Sequence, residues 1–456
     1  MFLGVPKSLV KRLGWTTVGY GTGQFLRLVN NVILARLLAP QIFGLMAVVN
    51  SIRTGVELLS DVGITQNIIS NPEGDTPDFY DTAWTLQVMR GIGLACVSII
   101  LAVPIARFFN YPQLAQILPV ASLFFVFTGF DSTTRGLIQK QLLVERTVRF
   151  QIIGGVVLVI AHVTAALITQ SIWALVLGSV ITGASTLIIS FLLVPGTRHR
   201  IMIDGRNARQ LMSFGKWVFF SSIVYFFAMN FDRLYFAKQI TLTELGIYGI
   251  ARSLADMVTL FVQRCAGLVL YPTVAAAGLA PPELRVRILH GRRTLLLAAA
   301  IGMGFFFALS SEVVHLLYDS RYQQAAAVLP ILCVGVWFQI LTATNDAILL
   351  GLSKPAYPAI SNAAKLLTYM IGVPLAFYFY GFTAAVVVIS AGEIVKYVVL
   401  WLLSHKQHLH FGRDDLGLTL AFTVTAISMR ELLFVLGWGP TIDLSSLPQL
   451  LKALHL

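Results

Sequence analysis

The sequence predicts an all-α polytopic membrane protein of twelve transmembrane helices, extendable to thirteen or fourteen, in two six-helix lobes related by an internal repeat. Composition is the first support. Of 456 residues, 57% are apolar and only 12% charged, with a mean hydropathy of +0.78, whereas a soluble domain carries roughly a quarter charged residues. The second is the recurrence of apolar runs, each about twenty residues and so long enough to cross a hydrocarbon core about 30 Å thick. The third is a proline-containing corner, Ala35-Arg36-Leu37-Leu38-Ala39-Pro40-Gln41-Ile42-Phe43-Gly44, that returns in degenerate form. Trp15 pairs with Trp217, Asn30 with Asp232, Ala35 with Ala237, Arg36 with Lys238 and Gly44 with Gly246, all at an offset of 202. Leu118-Pro119 is echoed by Leu329-Pro330 at an offset of 211. Consecutive copies of one bundle are a hallmark of secondary transporters.

The first six spans fall near 14–36, 42–64, 82–107, 113–138, 149–169 and 173–194. The corner separates the first two, and the turn-rich loop 71–81 separates the next pair. The second six fall near 212–237, 244–271, 294–311, 325–350, 357–380 and 382–404, with a weaker thirteenth at 416–438. This gives an N-terminal lobe at 1–194, a basic cytoplasmic linker at 195–211, a C-terminal lobe at 212–404 and an extension at 405–456. Six spans is an even number, so both copies enter the membrane from the same side and are related by an axis along its normal. A cleft between the halves is expected.

Charge sets the orientation. With the N-terminus cytoplasmic, eighteen basic residues fall in cytoplasmic segments, Lys7, Lys140, Arg146, Arg206, Arg292 and Arg293 among them. Through span 12 the opposite side carries only Arg36, Arg107, Lys238 and Arg321. The positive-inside rule therefore favours N-in. The net charge of +12 follows from this asymmetry, and its dispersal over short loops excludes nucleic acid as the partner. The N-terminus lacks the pattern of a cleaved signal, because its first apolar stretch runs straight into Arg27, Asn30 and Asn31.

Catalytic chemistry finds little footing, and the chain is read as not an enzyme, with no cofactor. The loop residues Asp75, Asp78 and Asp81 have the spacing of a magnesium-binding prenyltransferase motif, but the second acidic cluster such enzymes use is missing. The loop reads as a solvated connector with a helix cap at Asp81. His199, His290 and His405 lie in or near cytoplasmic loops and read as surface residues. His162 and His315 have no carboxylate placed for acid–base work. Cys96, Cys265 and Cys333 have no metal or disulfide spacing, and no Walker A sequence is present.

The charges inside spans carry more. Each costs about 2.5–3.5 kcal/mol at the bilayer centre by insertion scales, so it should face water or a partner. Arg27, Asn30 and Asn31 share one face of span 1, and Asn50, Arg53, Glu57 and Asp61 form a stripe on span 2. Span 8 repeats the theme with Arg252, Asp256, Gln263 and Arg264. Arg90 lies on span 3, Asp131 and Arg135 on span 4, and Glu393 and Lys396 on span 12. Arg53–Glu57, Arg252–Asp256 and Asp131–Arg135 have salt-bridge spacing, yet polar stripes on the opening helices of both halves fit a hydrated cleft. Arg27, Asn30, Arg53, Arg90, Arg252 and Arg264 are the candidate substrate-binding residues. Glu57, Asp61, Asp256 and Glu393 are candidates for ion coupling or for salt bridges. The arginine surplus favours an anionic cargo, since guanidinium suits phosphate oxygens.

The chain resembles the bacterial polysaccharide biosynthesis flippases of the multidrug/oligosaccharidyl-lipid/polysaccharide exporter superfamily. The resemblance rests on the corner 35–44 and on Asp61-Val62-Gly63-Ile64, Trp173-Ala174-Leu175-Val176, Glu244-Leu245-Gly246-Ile247-Tyr248 and Gly351-Leu352-Ser353-Lys354-Pro355, in the family's order. It implies twelve to fourteen helices in two lobes working by alternating access in the bacterial inner membrane. The implied cargo is an undecaprenyl-pyrophosphate-linked oligosaccharide destined for exopolysaccharide, O-antigen or capsule. Polysaccharide polymerase and export machinery are the implied partners, beside membrane lipids, with H⁺ or Na⁺ as the coupling ion where one is used. The related lipid II flippase carries cavity arginines on helices 1, 2 and 8, the helices that here hold Arg27, Arg53 and Arg252 or Arg264. The alternative is a cation-coupled multidrug or small-molecule exporter of the same superfamily, whose cavity is expected to be more acidic and aromatic. A scramblase, a membrane-embedded biosynthetic enzyme or a non-transporting complex component is the further alternative.

Overall fold

In the computed structural model, the described residues are 7–437 apart from 59, 61–63, 72, 75, 141–143, 193–198, 272, 275–280, 408 and 410. They form helices and connecting turns, with no strand among them. The chain divides into two compact units. One holds the chain through Phe226 together with Ala237–Thr243, and the other holds Phe227–Phe236 together with the chain from Glu244 onward.

In the first unit, α1 (Lys7–Leu37) and α2 (Pro40–Leu58) flank the corner. Proline at the first helical position of α2 needs no amide partner there and presets its φ. Ala35 and Leu38 are almost wholly buried. Gly44 lets a later segment approach: a Cβ on it would sit 1.9 Å from the Leu242 carbonyl oxygen. The first corner and the segment Ala237–Thr243 therefore meet within one unit. The Tyr111 hydroxyl adds a bond to the Ala237 carbonyl at 3.1 Å.

Next come α3 (Ile64–Ser70) and the long α4 (Pro77–Phe109), which opens on Thr76-Pro77 and closes with Asn110 in the left-handed region at φ 60°. Asp81 lies on the second turn of α4 and is buried, so it is not the cap expected from the sequence; that position belongs to Thr76. The predicted second span ends early, at Leu58.

The fourth span is also interrupted. It comprises α5 (Leu114–Ala121) and α6 (Leu123–Phe130), then breaks at Asp131-Ser132-Thr133 before α7 (Thr134–Lys140). The exposed carbonyls at the end of α6 would be costly in apolar surroundings. Gln87 Nε2 donates to those of Thr128, Gly129 and Asp131 at 3.1, 3.1 and 2.9 Å. Trp84 Nε1 donates to that of Phe130 at 3.3 Å. Gly91 and Gly129 allow this approach, for a Cβ on Gly91 would lie 2.5 Å from the Phe125 carbonyl oxygen. Helices α8 (Val144–Thr169) and α9 (Ile172–Leu192) complete the set.

Helix α10 (Gly205–Gln239) begins in the first unit and supplies Phe227–Phe236 to the second. The second unit continues with α11 (Leu242–Cys265), which ends in a π-helical turn at Ala266–Leu270. Then follow α12 (Pro281–Ala308), α13 (Ser310–Leu317) and α14 (Gln324–Gly351). Helix α15 (Ala356–His405) merges predicted spans 11 and 12 across a kink at Gly381, whose φ of 80° and ψ of −169° only glycine adopts readily. The weak thirteenth candidate is a full helix, α16 (Gly412–Val435).

Eight described helices are long and apolar enough to cross a membrane: α4, α8, α9, α11, α12, α14, α15 and α16. The helices α1 and α10, expected to open the two repeats, are not among them. Both interrupt their apolar residues with Lys, Arg and Asn.

Helix α12 starts well before the predicted ninth span, and this corrects one residue. Arg292, expected on a cytoplasmic loop, is a fully buried helical residue. Its Nη1 pairs with Asp415 of α16 at 2.6 Å, Nε donates to Thr344 Oγ1 at 3.1 Å, and Nη2 donates to Asn345 Oδ1 at 3.1 Å. Phe411 covers the guanidinium face at 4.4 Å. Toward the other end of α16, Arg430 Nη1 reaches Glu312 at 2.7 Å and the Ala308 carbonyl at 3.1 Å. Helix α16 is thus stapled to the rest of its unit at both ends.

Candidate functional site

The first unit contains a cavity of about 610 Å³. Its wall is formed by the end of α2 (Thr54, Glu57, Leu58), the middle of α4 (Gln87, Arg90, Gly91), the broken fourth span (Phe124 to Thr133) and Gly183 and Thr186 of α9. Arg90 is the cation in that wall, and Glu57 and Asp131 are the carboxylates. Arg90 is fixed on two sides: Nε donates to Ser60 Oγ at 3.1 Å and Nη2 to the Glu57 carbonyl at 2.7 Å. This satisfies a carbonyl at the C-terminal end of α2, where a cation also complements the helix dipole. Arg90 Nη1 has no partner among the described residues and remains available to an anion. Arg53, one turn before Glu57, lies over the face of Phe124 at 4.5 Å, and Phe124 itself lines the cavity.

The remaining sequence-derived residues of this unit lie apart. Arg27 is exposed on α1, while Asn30, three residues on, is buried with its Oδ1 unpartnered among the described residues. Asp61 lies outside the described residues, and nothing is described of the Arg135 side chain. Arg53 and Glu57 have the spacing of a salt bridge, but no ion pair joins them among the described residues, because the Arg53 guanidinium lies on the phenyl ring instead.

The second unit holds a different arrangement. Arg252 Nε contacts Asp256 at 3.1 Å, and Arg233 lies 3.8 Å from the same carboxylate. Tyr248 donates a short hydrogen bond to Asp232, the repeat counterpart of Asn30. Lys365 Nζ meets Glu393 at 2.6 Å with both side chains almost wholly enclosed, and Lys396 pairs with Asp346 at 3.2 Å. Three of these carboxylates are paired with four cations, and Asp232 is held by the Tyr248 hydroxyl. Asp256 and Glu393, the two coupling candidates of this unit, are therefore held in ion pairs. Arg264 is exposed toward the end of α11, away from these pairs in sequence.

Sequence reasoning missed Lys365, which sits within an apolar run with no local partner; Glu393 is 28 residues away. It also missed His199. That ring is enclosed rather than on the surface, stacked on Trp84 at 5.1 Å between the edges of Tyr80 and Phe191. No group of metal-ligating side chains occurs among the described residues.

The likenesses of the chain to known proteins agree with this architecture. A family model described as "Polysaccharide biosynthesis protein" matches residues 33–327. The lipopolysaccharide biosynthesis protein WzxC of Escherichia coli (strain K12) is 27% identical over 68% of this chain and 63% of its own. The chain thus spans less than two thirds of that relative. The teichuronic acid biosynthesis protein TuaB of Bacillus subtilis (strain 168) is 19% identical over 92% of this chain and 88% of its own. The succinoglycan biosynthesis transport protein ExoT of Rhizobium meliloti (strain 1021) is 22% identical over 72% and 66%. Among solved structures, the inward closed lipid II flippase MurJ superposes with a TM-score of 0.66 at 13% identity, covering 98% of this chain and 97% of that one. An inward-facing multidrug resistance MATE family transporter gives 0.66 at 15% identity, over 84% and 94%. The fold is that of these transporters, and the chain is a multi-pass membrane protein that belongs to the polysaccharide biosynthesis protein family.

Proposed function

We propose that this chain translocates an undecaprenyl-pyrophosphate-linked oligosaccharide across the bacterial inner membrane, by alternating access, for export as a surface polysaccharide. The observation that carries this reading is the first-unit cavity, with Arg90 in its wall and Arg53 stacked on Phe124, a residue that lines it. Two guanidiniums suit a pyrophosphate, which accepts hydrogen bonds in a bidentate geometry. The carboxylates, Gln87 and the threonine hydroxyls suit sugar hydroxyls, which both donate and accept. The names of the relatives, which refer to lipopolysaccharide, teichuronic acid and succinoglycan biosynthesis, support the same substrate class. Arg27 and Asn30 complete the proposed cargo-contacting set of the first unit, and coupling to H⁺ or Na⁺ falls to Glu57 or Asp61.

Arg53→Ala should abolish polymer export while the protein still accumulates in the membrane, because Arg53 rests on a ring and leaves no orphaned carboxylate behind. Arg53→Lys should restore only part of the export, since an ammonium keeps the charge and loses the planar fork. Arg149→Ala, at a side chain 65% exposed, is the silent control. Normal export by Arg53→Ala, measured with reconstituted protein and a fluorescent lipid-linked oligosaccharide, would remove the guanidinium from the cargo path.

Orientation is tested separately. In a cysteine-free background, a cysteine at Asn110 should react with a membrane-impermeant thiol reagent from outside intact cells, and one at Gly205 should be protected. The reverse pattern would invert the N-in topology.

A further inference from the structure

The segment 199–204 that precedes α10 is bound to α4 by a repeating device. Arg200 N donates to Asp81 Oδ1 at 3.3 Å, Met202 N to Thr85 Oγ1 at 3.0 Å and Asp204 N to Thr82 Oγ1 at 3.1 Å. Each threonine hydroxyl also donates to its own helix, Thr82 to the Asp78 carbonyl and Thr85 to that of Asp81. One hydroxyl thus ties linker to helix with both of its hydrogen-bonding functions. The strap then ends by capping α10, through Asp204 Oδ1 and Asn207 N at 2.8 Å.

His199 closes the far end. Its side chain is 1% exposed, boxed by Tyr80 and Trp84 of α4 and Phe191 of α9. Nε2 shares a hydrogen bond of 2.7 Å with Ser132 Oγ at the break in the fourth span. Nδ1 lies 3.7 Å from Asp81, beyond hydrogen-bond length.

We propose that this clasp is a pH-dependent latch, in which this linker is held to α4 while His199 is neutral and is released when the ring takes up a proton. The facing groups set its sign. From α4 they are Asp81, which favours the protonated ring, and the Tyr80 phenol. Ser132 is the polar contact at the break, and α9 contributes only Phe191. Arg200 follows His199 on the linker itself. Burial is the largest influence and lowers the affinity of the ring for a proton, and the Asp81 carboxylate offsets it only partly, so the latched ring titrates below the ordinary 6.5. The latched state therefore binds fewer protons than the open one. Latching is at full strength above the ordinary histidine value and weakens as pH falls below it. Ser132 also lines the cavity, so release removes a brace from its wall. That last consequence rests on the transport reading, whereas the latch does not.

Hydrogen exchange of the 199–204 amides in full-length protein in nanodiscs tests it, independently of transport. After correction for intrinsic rates, protection should be constant between about pH 8 and pH 7, then fall roughly tenfold per pH unit below the histidine value until the latched ring titrates. His199→Phe keeps a ring in the box and should lose the pH dependence. Asp81→Asn, which keeps an acceptor for Arg200 N and removes the carboxylate, should deepen the fall. Native protection that does not change with pH overturns the proposal. So does an unaltered pH profile in Asp81→Asn, even where His199→Phe fails to fold.

Discussion

Arg292→Ala should leave little folded protein in the membrane. The substitution strips Asp415 of its cation and Thr344 and Asn345 of a shared donor, all in a region closed to water. Removing one member of a buried ion pair costs about 3–5 kcal/mol, a large fraction of a net stability of about 5–15 kcal/mol. Tyr397, which also donates to Asp415 at 2.9 Å, remains but supplies no positive charge. Membrane abundance and the midpoint of thermal unfolding in detergent both read the loss. Normal abundance with an unchanged midpoint would mean that Asp415 finds another partner. Arg292→Lys should recover part of the stability through the charge alone, since an ammonium cannot span the three acceptors as the guanidinium does.

The second large effect concerns Lys365 and Glu393. Glu393→Gln leaves an enclosed ammonium without its counter-charge, and Lys365→Met leaves an enclosed carboxylate. Each should lower the unfolding midpoint strongly, by a free energy of about 3–5 kcal/mol. Replacing both together, with Lys365→Met and Glu393→Met, should recover most of the loss, because matched apolar groups avoid the desolvation that the pair has to offset. The double-mutant cycle separates pairing from ion coupling. If Glu393 carried the coupling ion, Glu393→Gln would accumulate normally and lose only gradient-driven transport.

The corner before α2 was legible because its proline and glycine hold a turn where aliphatic residues are interchangeable. The kink between spans 11 and 12 was legible for a related reason: an apolar run of that length needs a break, and Gly381 supplies it. Local spacing proved an uneven guide to pairing. Arg252–Asp256 forms the expected i,i+4 bridge, while Arg53–Glu57, at the same spacing, does not, because Phe124 from another helix takes the guanidinium. Nothing in the sequence around Arg292 announces Asp415, and a basic residue at the edge of an apolar run reads as a loop residue. The same blindness hid His199, whose box is assembled from α4 and α9. Among the candidate residues, sequence placed Arg53, Glu57 and Arg90 on neighbouring helices. Only the break at Asp131 shows how a cavity opens beside them.

The staple between α12 and α16 also orders events in time. Arg292 leaves the ribosome 123 residues before Asp415. At about 5–20 residues per second, that interval lasts roughly 6–25 seconds. Throughout it, α12 carries a guanidinium whose carboxylate has yet to be made. Insertion of α12 is therefore provisional until α16 has been made, and nascent chains stalled short of α16 should be the form that membrane proteases clear first.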